Sequence, residues 1–137
     1  MDNRINVGST FEYPFRFSQE DVIKFAEATG DKNPIHLDEE YASKSIFKKR
    51  IIHGFLGGSI FSKVFGTIFP GEGTIYLKQD MAFFKPMYID TNYTAAFTTL
   101  QIFKDEGRAL IRTEIFNEDR KITISGEALI QNKIYSE

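Results

Sequence analysis

In the stretch "TGDKNPIHLDEEYA", Thr29 to Ala42, an aspartate, an asparagine-proline pair and a histidine fall between Asp31 and His36. A carboxylate that ionises near about pH 4 and an imidazole that titrates near about pH 6.5, brought together by a proline-stiffened loop, can bind one water and move its protons. That is acid-base chemistry without a covalent nucleophile. The plainer reading is that Asp31 and Asn33-Pro34 are turn residues. His36 fits a turn less well, because it lies between Ile35 and Leu37 and would point away from the face those two bury.

The other histidine of the chain, His53 in "RIIHGFL", stands directly before an apolar, glycine-containing stretch. Its imidazole also reads as a helix-start residue satisfied by backbone. Gly54 is more suggestive, since a helix N-terminus exposes unpaired N–H groups, and a hydrogen side chain lets a ligand approach them. A carbonyl oxygen gaining negative charge would be stabilised there. An acid-base pair, an amide-built oxyanion site and no thiol together favour a reaction through an enolate. Addition of water across an alkene conjugated to a thioester carbonyl fits: the carbonyl accepts from Gly54, while Asp31 and His36 manage the water and the proton.

Several elements must hold these groups. "TFEYPFRF" alternates Phe11, Tyr13, Phe15 and Phe17 on one face, as a strand does, and Pro14 moves it to a sheet edge. In "SQEDVIKFAEAT" Ser18 is an N-cap with Asp21 three positions on, Val22, Phe25 and Ala26 share a helical face, and Gly30 supplies the stop. The Asp31 motif therefore lies in a loop after a helix, and a short second helix runs from an Asp38 cap through Ser45. Within Ile51 to Gly73 the apolar residues form no single stripe, which predicts a helix buried nearly all round. Gly57, Gly58 and Gly66 weaken that helix and imply that other backbone comes close. After Pro70-Gly71 the segments "TIYLKQDMAFF", "NYTAAFTTLQIF", "RALIRTEIF" and "KITISGEALIQ" read as strands, the last three as an antiparallel meander. The expected architecture is α+β, a hot-dog fold: a curled antiparallel sheet of five or six strands wrapped around a long buried central helix. Residues 1–137 read as one domain, and the sheet edge and apolar surface left over predict a homodimer.

Composition narrows the functions. A net charge of -2 offers no basic field for nucleic acid. With no cysteine there is no disulfide, thiolate metal site or thiol nucleophile, which suits a reducing cytoplasm. No signal peptide is expected, because "MDNRINVGSTFEYPF" lacks an uninterrupted apolar core, and no membrane span, because the richest apolar run is broken by glycines, Ser59, Ser62 and Lys63. Histidines seventeen positions apart without cysteine form no familiar metal ligand set, and no glycine-rich dinucleotide fingerprint follows a strand. No metal or other cofactor is expected.

"FAEATGDKNPIHLDEEYA" closely resembles the signature of the MaoC-like dehydratases, which include the R-specific enoyl-CoA hydratases. The matching residues are Phe25, Gly30, Asp31, Asn33, Pro34, Ile35, His36 and Ala42. The resemblance continues through "FKKRIIHGFLGGSIFSKVFG" and "PGEGTIYLKQDMAFFKPMYIDT" to "SGEALI". It implies a hot-dog dimer that hydrates a trans-2-enoyl thioester of coenzyme A, or of acyl carrier protein, to the R-3-hydroxyacyl thioester. It places the catalytic pair on Asp31 and His36 and the oxyanion amide on Gly54, with Asn33 and His53 beside them. Ser62 and Phe65 share the helix face that continues from Gly54 and would wall an acyl tunnel, where Phe65 would favour short chains. Phe65 packing under the sheet is the competing reading. Lys44, Lys48, Lys49 and Arg50 could meet coenzyme A phosphates or form a solvated face. A hot-dog thioesterase would share the fold but would set a carboxylate on or near the buried helix, and no Asp or Glu lies between His53 and Pro70. A non-catalytic acyl-CoA-binding protein would have little reason to hold both Asp31 and His36.

Overall fold

The computed structural model describes residues 5–137; the first four residues of the domain reading lie outside the described range. Alternation gives β1, Thr10–Phe15, with Phe11, Tyr13 and Phe15 turned inward. It is an edge strand, where the missing N–H of Pro14 is tolerated. Helix α1, Gln19–Thr29, opens on a complete capping box: Ser18 Oγ accepts from the Asp21 N–H at 3.1 Å, and Asp21 Oδ2 accepts from the Ser18 N–H at 2.9 Å. Gly30 closes it with its N–H on the Ala26 carbonyl.

The next segment departs from the expected loop. Pro34–Leu37 forms a single helical turn, α2, and Glu39–Ser43 forms α3, two residues shorter than expected and capped by Asp38. Proline suits the first position of a helix, and Asn33 Oδ1 caps the turn by accepting from the Ile35 N–H at 3.2 Å. A helical phase replaces the alternation assumed from sequence. His36 is therefore the buried side chain, and Ile35 and Leu37 are only half-buried.

Helix α4, Gly54–Thr67, packs on a six-stranded antiparallel sheet. The later strands are β2 (Ile75–Gln79), β3 (Ala82–Phe83), β4 (Tyr93–Phe103), β5 (Arg108–Phe116) and β6 (Ile122–Gln131). Their order is β1-β4-β5-β6-β2, with β3 also paired to β6, so the predicted meander is β4-β5-β6. The run read as one strand over 74–84 is broken at Asp80-Met81, where the Asp80 N–H donates to the Glu127 carbonyl and Asp80 Oδ1 accepts from the Glu127 N–H.

Phe97 on β4 sits opposite Phe11 on β1 and is met edge-on by Phe61 and Phe65 of α4, with ring centroids at 5.8 and 5.2 Å. The fully buried rings of Phe61, Phe65 and Phe97 fix how the helix lies in the sheet. Burial is one-sided: Leu56, Ile60, Phe61, Val64 and Phe65 are inside, whereas Phe55, Ser59, Ser62 and Lys63 are exposed. The mixed pattern that predicted all-round burial thus describes a helix with a second, uncovered face. The groups closest to Gly57 and Gly58 are the sulfurs of Met87 and Met81 rather than backbone, and nothing stands near Gly66.

Candidate active site

Three segments converge at the start of α4. The α1 to α2 connection carries Asp31, α2 carries His36, and the extended strap Ile51-Ile52-His53 leads into Gly54. The strap ties them together. The Ile51 N–H donates to the Ile35 carbonyl at 3.2 Å, the Ile52 N–H to Met87 at 2.8 Å, and the Ile51 carbonyl accepts from His36 Nδ1 at 2.8 Å. Two residues on, His53 Nε2 lies 2.9 Å from the Asp31 carbonyl oxygen. One short strap therefore holds the ring of His36 and the backbone of Asp31.

A ring nitrogen facing a carbonyl must carry the proton, so His36 is protonated on Nδ1 and presents Nε2 as an acceptor. Burial holds its pKa below the ordinary imidazole value; the bond to Ile51 opposes that, His53 adds to it, and Asp31 opposes it. At neutral pH this favours a ring able to take a hydrogen bond from water. Asp31 is exposed, and its Oδ1 receives only a long contact, 3.5 Å, from the Asn33 N–H. One ring nitrogen of His36 lies within 4.8 Å of an Asp31 carboxylate oxygen, and an acceptor nitrogen with an open carboxylate is the pairing needed to hold and deprotonate one water.

Helix α4 begins without a side-chain cap, which leaves first-turn amides for a ligand. A Cβ on Gly54 would lie 2.8 Å from the Phe83 ring, so only glycine lets that ring close over the helix end. A cavity of about 320 Å³ adjoins His53 and Gly54 and is walled by Ile52, Phe83, Met87 and Ile124, with Lys85 its one lysine or arginine. An apolar cavity ending at free amides suits a chain that carries a polarisable carbonyl.

Folding also brings one potential ligand atom from each of Asp31, His36 and His53 within 4.8 Å of one another, despite their separation in sequence. The two imidazoles, however, stack with centroids 3.8 Å apart and planes 30° from parallel, and each has one nitrogen on a backbone carbonyl. The nitrogen held on a carbonyl in each ring carries its proton, so each imidazole has one nitrogen left that could accept.

Residues 2–120 match the family described as MaoC like domain. The chain belongs to this family. It is 33% identical over 127 residues to an (R)-specific enoyl-CoA hydratase of Aeromonas caviae, covering 93% of this chain and 95% of the relative. It is 34% identical to a 3-hydroxybutyryl-CoA dehydratase of Methylorubrum extorquens, covering 93% of this chain and 80% of the relative. Among solved structures, the (R)-hydratase of A. caviae involved in PHA biosynthesis superposes with a TM-score of 0.90 at 32% identity, over 96% of this chain and 99% of that one. The MaoC-like chain accordingly has the hot-dog fold.

Asp31, His36, His53 and Gly54 meet at one place in this MaoC-like domain. Asn33 stands beside them with its side chain turned to capping α2. Ser62 and Phe65 do not join the group. Ser62 is exposed two turns along α4, and Phe65 is sealed between Phe97 and Tyr76, with ring centroids at 5.2 and 5.3 Å. Of the basic run, Arg50 pairs with Glu39 at 2.8 Å, Lys44 with Glu40 at 3.5 Å, and Lys49 lies 4.3 Å over the Tyr88 ring. Sequence reasoning missed Ile51, which acts through its carbonyl and so leaves no side-chain signal. It also missed Gln19, whose Nε2 donates to the His36 carbonyl at 3.1 Å although the residue reads as an ordinary helix-surface position.

Proposed function

We propose that this chain is an (R)-specific enoyl-CoA hydratase, interconverting a trans-2-enoyl thioester and the (R)-3-hydroxyacyl thioester. The observation that carries the reading is the cluster of Asp31 and His36 around His53, the residue that precedes the uncapped start of α4 and lines the apolar cavity with Gly54. The hydratase and dehydratase names of relatives matched over most of the chain support it.

In the hydration direction one water lies between the Asp31 carboxylate and His36 Nε2. His36 accepts one O–H and orients the oxygen toward C3 of the enoyl chain. The oxygen bonds to C3 as Asp31 takes the other proton, and the C2–C3 π electrons move into the thioester carbonyl. The resulting enolate oxygen accepts from the Gly54 N–H. Asp31 then returns its proton to C2, the carbonyl re-forms, and both enzyme groups regain their starting state. No redox change occurs, and the reading requires no metal or other cofactor.

The thioester carrier is coenzyme A, with acyl carrier protein as the alternative that shares the reacting atoms. We read 1–137 as one domain, acting as a cytoplasmic homodimer. Among the described residues no helix is long and apolar enough to cross a membrane. Edge strand β2 exposes Ile75, Tyr76 and Leu77, and Phe55, Phe83 and Phe84 are also exposed. An unpaired edge with this much apolar surface supports pairing with a second copy.

The test is to incubate the protein with crotonyl-CoA, follow the conjugated enoyl absorbance, determine the configuration of the product and titrate free thiol. Loss of absorbance with (R)-3-hydroxybutyryl-CoA formed and no thiol released is expected. Release of thiol without hydration would replace the hydratase by a thioesterase.

A further inference from the structure

The acid-base mechanism makes no use of the side chain of His53, yet this imidazole is 2% exposed and lies against both Asp31 and His36. Its Nε2 lies 2.9 Å from the Asp31 carbonyl oxygen. Its ring lies 3.8 Å from that of His36 and 4.8 Å from that of Phe25 on α1. Its backbone is the first residue ahead of α4, and its carbonyl accepts from the Gly57 N–H at 3.1 Å. Nδ1 is buried without a hydrogen-bond partner. An apolar side chain of the same shape would avoid that orphaned nitrogen, and what the imidazole supplies in its place is the Nε2–H donor.

We propose that His53 is a positioning residue: through an Nε2–H donated to the Asp31 carbonyl and a face laid against the His36 ring, it sets the separation of the two groups and ties both to Gly54. Asp31 has little else to hold it. Its N–H donates to Thr29 Oγ1 at 3.2 Å, its carboxylate has only the long Asn33 contact, and the residue follows the helix-ending Gly30. Without the His53 bond the carboxylate would move relative to Nε2 of His36, and errors of about 1 Å in such a pair cost on the order of a hundredfold in rate. His36 and His53 thus carry opposite tautomers. His36 keeps its proton on Nδ1 and offers Nε2 to water, whereas His53 keeps its proton on Nε2 and spends it on backbone. The inference rests on the hydratase reading for its kinetic consequence and on the hydrogen bonds alone for the tautomers.

The test compares His53→Phe, which keeps a buried ring of similar size but donates nothing, with His53→Gln, whose amide nitrogen reaches the place of Nε2. With crotonyl-CoA, His53→Phe is expected to lose kcat by at least roughly tenfold with KM changed less than roughly twofold, and His53→Gln to recover most of the loss. Equal losses in both variants, or wild-type kcat in His53→Phe, would overturn the proposal. ¹⁵N NMR of the wild-type imidazoles supplies a readout that needs neither variant folding nor turnover. With only two histidines in the chain, one Nδ1–H and one Nε2–H tautomer are expected, and an Nδ1–H tautomer at His53 would overturn the proposal. If wild-type protein does not hydrate crotonyl-CoA, the functional reading fails while the tautomers still report on the contact.

Discussion

Nδ1 of His36 lies 2.8 Å from the carbonyl oxygen of Ile51. This bond decides which face of the imidazole can work, because the anchored nitrogen must keep its proton and the opposite one must accept. His36→Asn separates the two tasks: the asparagine amide can still donate to Ile51, but nothing replaces Nε2. The variant is expected to fold normally and to lose kcat/KM by at least roughly a hundredfold. Activity within about tenfold of wild type would mean that Nε2 does not handle the water.

The His36 environment also sets a pH dependence. Burial is the largest influence and lowers the folded-state pKa, so the unfolded chain takes up a proton at higher pH than the folded one. Stability from this group is therefore full above the unfolded value of about 6.5 and is lost as pH falls toward and through the folded value. A ¹H NMR titration of the His36 ring should give a midpoint below that of a free imidazole. A midpoint at or above it would contradict the burial argument.

Packing gives a prediction independent of chemistry. Phe97 is fully buried among Phe11, Phe61 and Phe65. Phe97→Ala should cost about 3–5 kcal/mol, a large share of the roughly 5–15 kcal/mol that holds a domain of this size together. Ser18→Ala removes one arm of the capping box and should cost about 1 kcal/mol. Urea unfolding of both variants checks the order. A larger loss for Ser18→Ala would mean that the aromatic cluster is not the main tie between α4 and the sheet.

The assembly is tested at the exposed apolar edge. Wild-type protein is expected to sediment at twice the 15.7 kDa chain mass. Leu77→Lys with Phe84→Glu should shift it to the single-chain mass at the same concentration. A monomeric wild type, or a dimer indifferent to these charges, would place the contact elsewhere or remove it.

How far the sequence speaks for itself depends on whether the signal is local. The capping box at Ser18 and Asp21, the stop at Gly30 and the span of β5 all follow from short-range pattern, and each lies where it was read. The position of His36 between Ile35 and Leu37 points it away from the face those two bury, whereas Pro34 starts a helical turn that buries it. Asp31, His36 and Gly54 were legible as chemical types at suggestive spacing. The groups that orient them were not, because the Ile51 carbonyl is common to every residue and Gln19 is unremarkable until its amide meets the His36 carbonyl. Phe65 misled for a related reason. Helical spacing assigns it a face but does not say that Phe97 and Tyr76 already occupy that face.

The most direct measurement is the rate of enoyl absorbance loss from crotonyl-CoA with wild type, Asp31→Ala and His36→Ala side by side, each first shown to be folded. The account predicts (R)-3-hydroxybutyryl-CoA from wild type and a loss of at least roughly a hundredfold in each variant. Turnover by wild type that survives either substitution would contradict the assignment of the water to Asp31 and His36.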